Sequence, residues 1–363
     1  MSSRVFNFSA GPAMLPTEVM EKAQQEFLDY RGMGASVIEI SHRCKEFDQI
    51  VDRCDELIRE LSGLPSNYKM LYVHGGARMQ FSAIPMNLLP LSASRKAVYF
   101  ETGNFAKLAR KEAEKFGNIK IAATSEATNF DRIPKVSVAD VDQDAAYAHM
   151  TSNNTIYGTR WQEFPDTGVV PLVADMTSEI FSRVIDYSQF GAVYAGFQKN
   201  LGPSGVALVM MREDLIGKAT PDTPTLLDYK VYMDNHSMAN TINTFAMYML
   251  MLMLEWKKEQ GGIAALEKIN QQKAKTLYEL IDASDFYLGS AQPESRSVMT
   301  VTFNLANNDL AGQFLAEALK NGLYALKGHR AVGGIRASIY NAMPLAGVQA
   351  LADFMKEFER VNG

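Results

Sequence analysis

Lys199 stands where a short apolar run, Val193–Ala195, gives way to Gly196-Phe197-Gln198-Lys199-Asn200-Leu201-Gly202-Pro203-Ser204-Gly205. Between an apolar strand and a tight loop a lysine loses water. Desolvation pulls the ammonium below its ordinary pKa of roughly 10.4 and frees an amine for nucleophilic or basic work. A second run, Val169–Ala174, ends in Asp175 and continues as Met176-Thr177-Ser178. Ligands of open α/β sheets sit at the carboxyl ends of strands, so an acid there can meet a cationic ligand group; the same residues also suit capping of the following segment. A third run enters Tyr72-Val73-His74-Gly75-Gly76-Ala77-Arg78 and then a helical stretch over 79–89. Paired glycines ahead of a helix N-terminus let backbone N–H groups approach an oxyanion, although an ordinary turn uses them too. The segment matches neither G-x-x-x-x-G-K-[ST] nor G-x-G-x-x-G, which weighs against a nucleoside triphosphate or a dinucleotide. Two histidines are followed by arginine, in Ser41-His42-Arg43 and Gly328-His329-Arg330, and Arg336 follows Gly333-Gly334. Each alone reads as a surface cation. Together, an anion cup, a strand-end acid, a strand-end lysine and several guanidinium groups describe a site for an anionic cofactor and a doubly anionic substrate.

These residues need a scaffold of two parts. The chain has 363 residues, a net charge of −5, 47% hydrophobic and 21% charged residues, an ordinary globular composition that excludes disorder and offers polyanions no general attraction. Nucleic acid and anionic membrane surfaces are therefore not expected as partners. Cys44 and Cys54 have neither metal spacing nor a disulfide framework and read as helix residues in a reducing compartment, and no zinc or calcium ligand pattern is present. The opening residues lack the long apolar core of a secretory signal, so the expected location is cytoplasmic. Pro16 opens a helix with Val19, Ala23, Phe27 and Tyr30 on one stripe, up to Gly32 and Gly34. A clearer stripe runs from Phe47 through Ile50, Val51, Cys54, Leu57 and Ile58 to Leu61, with Gly63 and Pro65 as stops. Seven short apolar runs then alternate with helical or loop stretches: 70–73, 97–100, 119–122, 145–150, 169–174, 193–195 and 206–211. This predicts an α/β domain with a mainly parallel, seven-stranded sheet. Phe245–Leu254 is ten unbroken apolar residues, short of the roughly 20 of a membrane span and apolar on every side, as a buried helix is. Its four methionines suggest core packing combined with contact to a second copy. A helix over 263–283 and mixed strands and helices to the end predict a smaller α+β domain, with a boundary near residue 265.

The segments closely resemble the phosphoserine aminotransferase family, fold-type I enzymes dependent on pyridoxal 5′-phosphate. The likeness rests on residues 7–16 (NFSAGPAMLP), Glu39-Ile40-Ser41-His42-Arg43, Gly75-Gly76-Ala77-Arg78, Ala195-Gly196-Phe197-Gln198-Lys199-Asn200, Lys327-Gly328-His329-Arg330 and residues 333–342 (GGIRASIYNA), and covers nearly the whole chain. It implies a large cofactor domain over 16–264 and a small domain of 1–15 with 265–363. It implies that Lys199 holds the cofactor as a Schiff base and later shuttles the α-proton, and that Asp175 keeps the pyridinium nitrogen protonated. Ala77, Arg78, Phe105, Thr155 and Gln198 would complete the cofactor site, with Asn240 and Thr241 reaching across from the second subunit of a homodimer. Arg336 would take the substrate α-carboxylate, and Ser9, His42, Arg43, His329 and Arg330 would surround the distal anion. The implied reaction passes an amino group from L-glutamate to 3-phosphohydroxypyruvate, giving O-phospho-L-serine and 2-oxoglutarate. A phosphorylated hydroxythreonine precursor of pyridoxine is a second implied substrate.

The chain departs from the family at two positions. Phe105 stands where a tryptophan commonly stacks on the cofactor ring, and Asn154 where an acid commonly precedes the threonine matched by Thr155. Small-substrate transaminases of the same fold would not need four distal cationic residues, and a noncatalytic scaffold would need neither Lys199 nor Asp175.

Overall fold

Helix Lys45–Ser62 buries Phe47, Ile50, Cys54, Leu57 and Ile58 along one stripe and stops where Gly63 adopts φ 63°, a left-handed conformation that costs glycine nothing. It is the firmest of the helices read from periodicity. The computed structural model describes residues 4–363. The helix expected from Pro16 to Gly32 is shorter, covering Thr17–Gln25. Asp29 Oδ1 instead accepts the Gly34 N–H at 2.7 Å, and this local turn competes with helix continuation. Tyr30 still reaches the core, through the one-turn helix Tyr30–Gly32, whereas Phe27 is left 41% exposed.

The seven apolar runs become one sheet in the spatial order Tyr68–His74, Val206–Arg212, Ala192–Gly196, Leu172–Asp175, Ala148–Thr151, Lys96–Glu101 and Asn118–Thr124. Val206–Arg212 is antiparallel to both neighbours, and every other adjacent pair is parallel. Six strands therefore direct their carboxyl ends to one edge, where such sheets bind ligands. The run at 169–174 joins the ladder only at Leu172, after Pro171, which has no N–H to give.

Asn243 caps the helix Thr244–Glu259, its Oδ1 accepting the Ala246 N–H at 2.9 Å. Met247, Met249, Met251 and Met253 are all buried within the single chain. This corrects the expectation of a contact to a second copy, because a side chain already covered on all sides has no face left to share. The partner of this helix is the stripe of Lys45–Ser62.

A third cluster of buried side chains is built from both ends of the chain. Its sheet orders Tyr287–Gly289, Thr300–Leu305 and Ile335–Ser338, all antiparallel. Phe8 packs there with Leu277, Phe303, Phe314 and Leu351. The strand Phe6–Asn7 pairs in parallel with Leu323–Tyr324, and the Ser338 N–H donates to the Phe8 carbonyl at 3.2 Å. Among the described residues no helix is long and apolar enough to cross a membrane.

Candidate active site

The common edge of the parallel strands holds a cleft of about 290 Å³. Nine residues singled out in the sequence line it: Ala77, Arg78, Phe105, Thr155, Asp175, Gln198, Lys199, His329 and Arg336. Ser9, His42, Arg43, Asn240, Thr241 and Arg330 do not. Arg43, Thr241 and Arg330 are exposed, while His42 Nε2 and Asn240 Oδ1 are buried without a hydrogen-bond partner.

Asp175 closes its strand in the middle of the sheet, in register with Thr151 on one side and Tyr194 on the other. It is 6% exposed, and its Oδ1 accepts the Thr177 N–H at 2.9 Å. Burial raises its pKa, opposed by the Thr177 hydrogen bonds and by the positive charge of Lys199. Lys199 follows the next strand after a turn in which the Leu201 and Gly202 N–H groups both bond to the Phe197 carbonyl, at 3.1 and 2.8 Å. Burial pulls its pKa from 10.5 to about 8; Asp175 works against that shift and Arg336 adds to it. Its Nζ lies 5.8 Å from the centre of the Phe105 ring.

The antiparallel strand brings the glycine turn beside this lysine, because Val206 is paired with His74 and the Gly75 N–H donates to the Gly205 carbonyl at 3.1 Å. Gly75 and Gly76 take φ 80° and 63°, and the helix Gly76–Leu88 begins at once. Ala77 and Arg78 thus lie in its first turn, earlier than the expected start at 79. That turn exposes free N–H groups and the positive end of the helix dipole toward the cleft.

Arg336 comes from the other end of the chain. Its neighbours Ile335 and Ala337 are buried in the small sheet, so strand alternation turns Arg336 to the cleft side. It donates to the Thr155 carbonyl at 3.4 Å, while its Nε is buried and unpartnered. His329 lies nearby, its pKa lowered by burial and by the charges of Arg336 and Arg330. The N-terminal arm crosses the mouth, with Ala10 and Gly11 in the lining and the Ala13 N–H donating to the Gln198 carbonyl at 2.8 Å.

Sequence reading missed Thr151, Asn153, Thr177 and Ser178, which also line the cleft. Their signal was hydroxyl and amide residues at a strand end or within three residues of one. Thr151 Oγ1 is buried without a partner, whereas Asn153 and Ser178 bond to each other at 2.9 Å. The unusual Asn154 is satisfied by donating to Thr159 Oγ1 at 3.1 Å and Thr102 Oγ1 at 3.3 Å. It also packs on Gly103, where a Cβ would stand 2.6 Å from its Oδ1.

A lysine drawn down to about 8, a carboxylate near enough to oppose that shift, an anion cup at a helix start and an arginine with an unpaired donor suit chemistry on an amino acid bound to an anionic cofactor. Comparison with known proteins agrees. The family model of class-V aminotransferases matches residues 5–351. Phosphoserine aminotransferase of Desulfosudis oleivorans is 50% identical over 365 residues that cover all of both chains. The structure of phosphoserine aminotransferase from Bacillus circulans subsp. alkalophilus is 45% identical, with a TM-score of 0.96 over 100% of each chain. That of the Trichomonas vaginalis enzyme with pyridoxal phosphate bound is 36% identical, with a TM-score of 0.91 over 97% of this chain and all of the other. The chain therefore belongs to the class-V aminotransferases and, within them, to the phosphoserine aminotransferase family.

Proposed function

We propose that the cleft takes pyridoxal 5′-phosphate and, on it, moves an amino group from L-glutamate to 3-phosphohydroxypyruvate, forming O-phospho-L-serine and 2-oxoglutarate. The observation that carries this reading is the convergence of Lys199, Asp175 and Arg336 on the cleft that the helix start at Gly76 opens into. The residues fit the cofactor: N–H groups at Gly76–Arg78 and the Arg78 guanidinium suit its phosphate, and the unpartnered Thr151 hydroxyl offers a further hydrogen bond. When bound, the cofactor supplies an electron sink for bond breaking at the substrate α-carbon. Lys199, half neutral near pH 8, would hold it and, once released as a free amine, would take and return the proton of the substrate α-carbon. Asp175 would hold a proton on the ring nitrogen, Phe105 would give the ring an apolar face, and Thr155 and Gln198, which also line the cleft, would complete its surroundings. Arg336 orients the substrate through its carboxylate, using the Nε that has no protein partner.

His329, Arg330, His42 and Arg43, with Ser9, form the distal anion site, and their positive charge favours a phosphate over a hydroxyl. Asn240 and Thr241 are contributed by a second copy, giving a homodimer with shared sites. The exposure of Phe27, Leu28, Met33 and Ile38, at 41, 82, 41 and 51%, on the segment leading to His42 supports such an interface. The two amino transfers alternate at one site in ping-pong order, because one Lys199 and one Arg336 serve both substrates. The phosphohydroxythreonine step of pyridoxine biosynthesis uses the same carboxylate and phosphate contacts. Residues 16–264 act as the large domain and 1–15 with 265–363 as the small one, in a cytoplasmic enzyme.

The test is the visible spectrum of cofactor-loaded protein before and after O-phospho-L-serine or L-serine. Loss of the yellow band with the phosphorylated amino acid at concentrations where serine does nothing is the expected result. A band answering better to serine would move the reading to a small-substrate transaminase, and a protein that never turned yellow would remove the cofactor.

A further inference from the structure

Beneath the cleft, the carbonyls of Ile180, Phe181 and Ser182 belong to the turn that follows Asp175, and each accepts from a different buried asparagine. Asn200 Nδ2 lies 3.1 Å from the Ile180 oxygen, Asn341 Nδ2 2.8 Å from that of Phe181 and Asn270 Nδ2 2.9 Å from that of Ser182. The asparagines also hold one another. The Asn341 N–H donates to Asn200 Oδ1 at 3.2 Å, and Asn270 Nδ2 to Asn341 Oδ1 at 2.8 Å. Two lysines close the ends of this lattice. Lys257 Nζ, from the methionine-rich helix, donates to the Asn200 carbonyl at 2.6 Å. Lys273 Nζ donates to the carbonyls of Ile339, Tyr340 and Met343 at 3.0, 2.7 and 3.1 Å. Asn200, Asn270, Lys257 and Lys273 are each at most 1% exposed, and Asn341 is 4% exposed.

Such a lattice is a costly way to gain stability. No carboxylate compensates either lysine, and burial alone pulls both from 10.5 to about 7. Apolar side chains of the same volume would spare that cost but leave the backbone carbonyls of these segments without partners, so the lattice pins the backbone that carries them. What such a lattice adds is register, since its amide donors meet their carbonyl acceptors in this arrangement, although Asn270 Oδ1 is buried without a partner. The segments it joins are telling: Asn200 directly follows Lys199, the three carbonyls lie just beyond Asp175, and Asn341 lies just beyond the strand that carries Arg336.

We infer that Asn200, Asn341, Asn270 and Lys257 form a positioning unit that sets the reach of Lys199 to the α-carbon of a substrate whose carboxylate rests on Arg336. None of the four touches the cleft, so they act through the residues they hold. This rests on the reading of the cleft proposed above.

Asn341→Asp keeps the shape but turns the donor aimed at Phe181 into an acceptor. Lys257→Met keeps most of the volume and removes the donor to Asn200, with Lys257→Arg as the conservative return. Each variant is measured for turnover of O-phospho-L-serine per cofactor-loaded site, for KM, for thermal midpoint and for the pH midpoint of the visible band. The expected result for Asn341→Asp is a roughly 10²-fold loss of kcat per loaded site, the cost of about 1 Å of misplacement, with a much smaller change in KM and a displaced pH midpoint. Lys257→Met should lose about 10-fold in kcat by the same cause, with part of it returned by arginine. Wild-type kcat per loaded site and a wild-type pH midpoint in Lys257→Met would overturn the inference, whatever happens to stability; if Asn341→Asp does not fold, Lys257→Met decides alone. Lys199→Ala separates the two readings. Retained turnover in that variant removes the cleft assignment, whereas a dead Lys199→Ala beside an unaffected Lys257→Met removes only the positioning unit.

Discussion

The half of the cleft proposed to hold the cofactor and the residues proposed for the distal anion are assembled in different ways. Asp175 and Lys199 sit at the ends of adjacent strands, Ala77 and Arg78 in the helix start that follows a strand one further place along, and the sheet brings all four together within one chain. His42, Arg43 and Arg330 belong to loops, and none of them lines the cleft. A parallel sheet leaves no choice about which ends converge, whereas a loop takes its place from whatever packs on it. The first half is therefore preorganised, whereas the proposed second half needs its loops brought to the cleft, which is why a second copy is part of the proposal.

Experiments that separate the halves should differ in size and in kind. Lys199→Ala should lower turnover by about 10⁴-fold, the upper range for a positioned acid–base group, for phosphorylated and plain amino acids alike. Asp175→Asn should cost roughly 10²- to 10³-fold in kcat through lost electrostatic stabilisation, again for every substrate, read by steady-state kinetics. Arg43→Ala should instead be selective. Losing charge-assisted hydrogen bonds worth about 1.5–3 kcal/mol lowers kcat/KM for O-phospho-L-serine roughly 10- to 100-fold and spares L-serine. Equal losses for both substrates would dissolve the distinction between the halves.

A pH experiment sharpens the cofactor half. Lys199 is held near 8, so its neutral fraction rises about 10-fold from pH 7 to 9 and then levels off, while a lysine at 10.5 would keep climbing. Stopped-flow attachment of cofactor to the apoprotein should follow that curve. The sign in stability is the same: between about 8 and 10.5 the unfolded chain binds the extra proton, so this lysine's contribution to folding grows as pH rises through that window. The smallest effect belongs to Phe105→Trp. A larger ring adds about 0.5–1 kcal/mol of stacking, so cofactor dissociation should slow by only about 2- to 5-fold.

Much of this was legible in the residues. Gly63 stopped a helix, Gly75 and Gly76 opened another, and all seven sheet strands coincide with apolar runs, because burial and backbone freedom are local properties. Errors fell where a nonlocal or competing contact won. Asp29 and Gly34 ended the first helix early, and the methionine-rich helix proved to be covered within its own chain.

The residue types and the motifs that carry them determined what chemistry this protein could host: an amine, a carboxylate, an anion cup and a surplus of guanidinium groups. Spacing along the chain said nothing of Arg336 meeting Thr155, of Asn341 gripping the turn beyond Asp175, or of Thr151 entering the cleft with an unpaired hydroxyl. Those are meetings of segments more than a hundred residues apart, or of a strand end with empty space, and strand order and packing alone decide them.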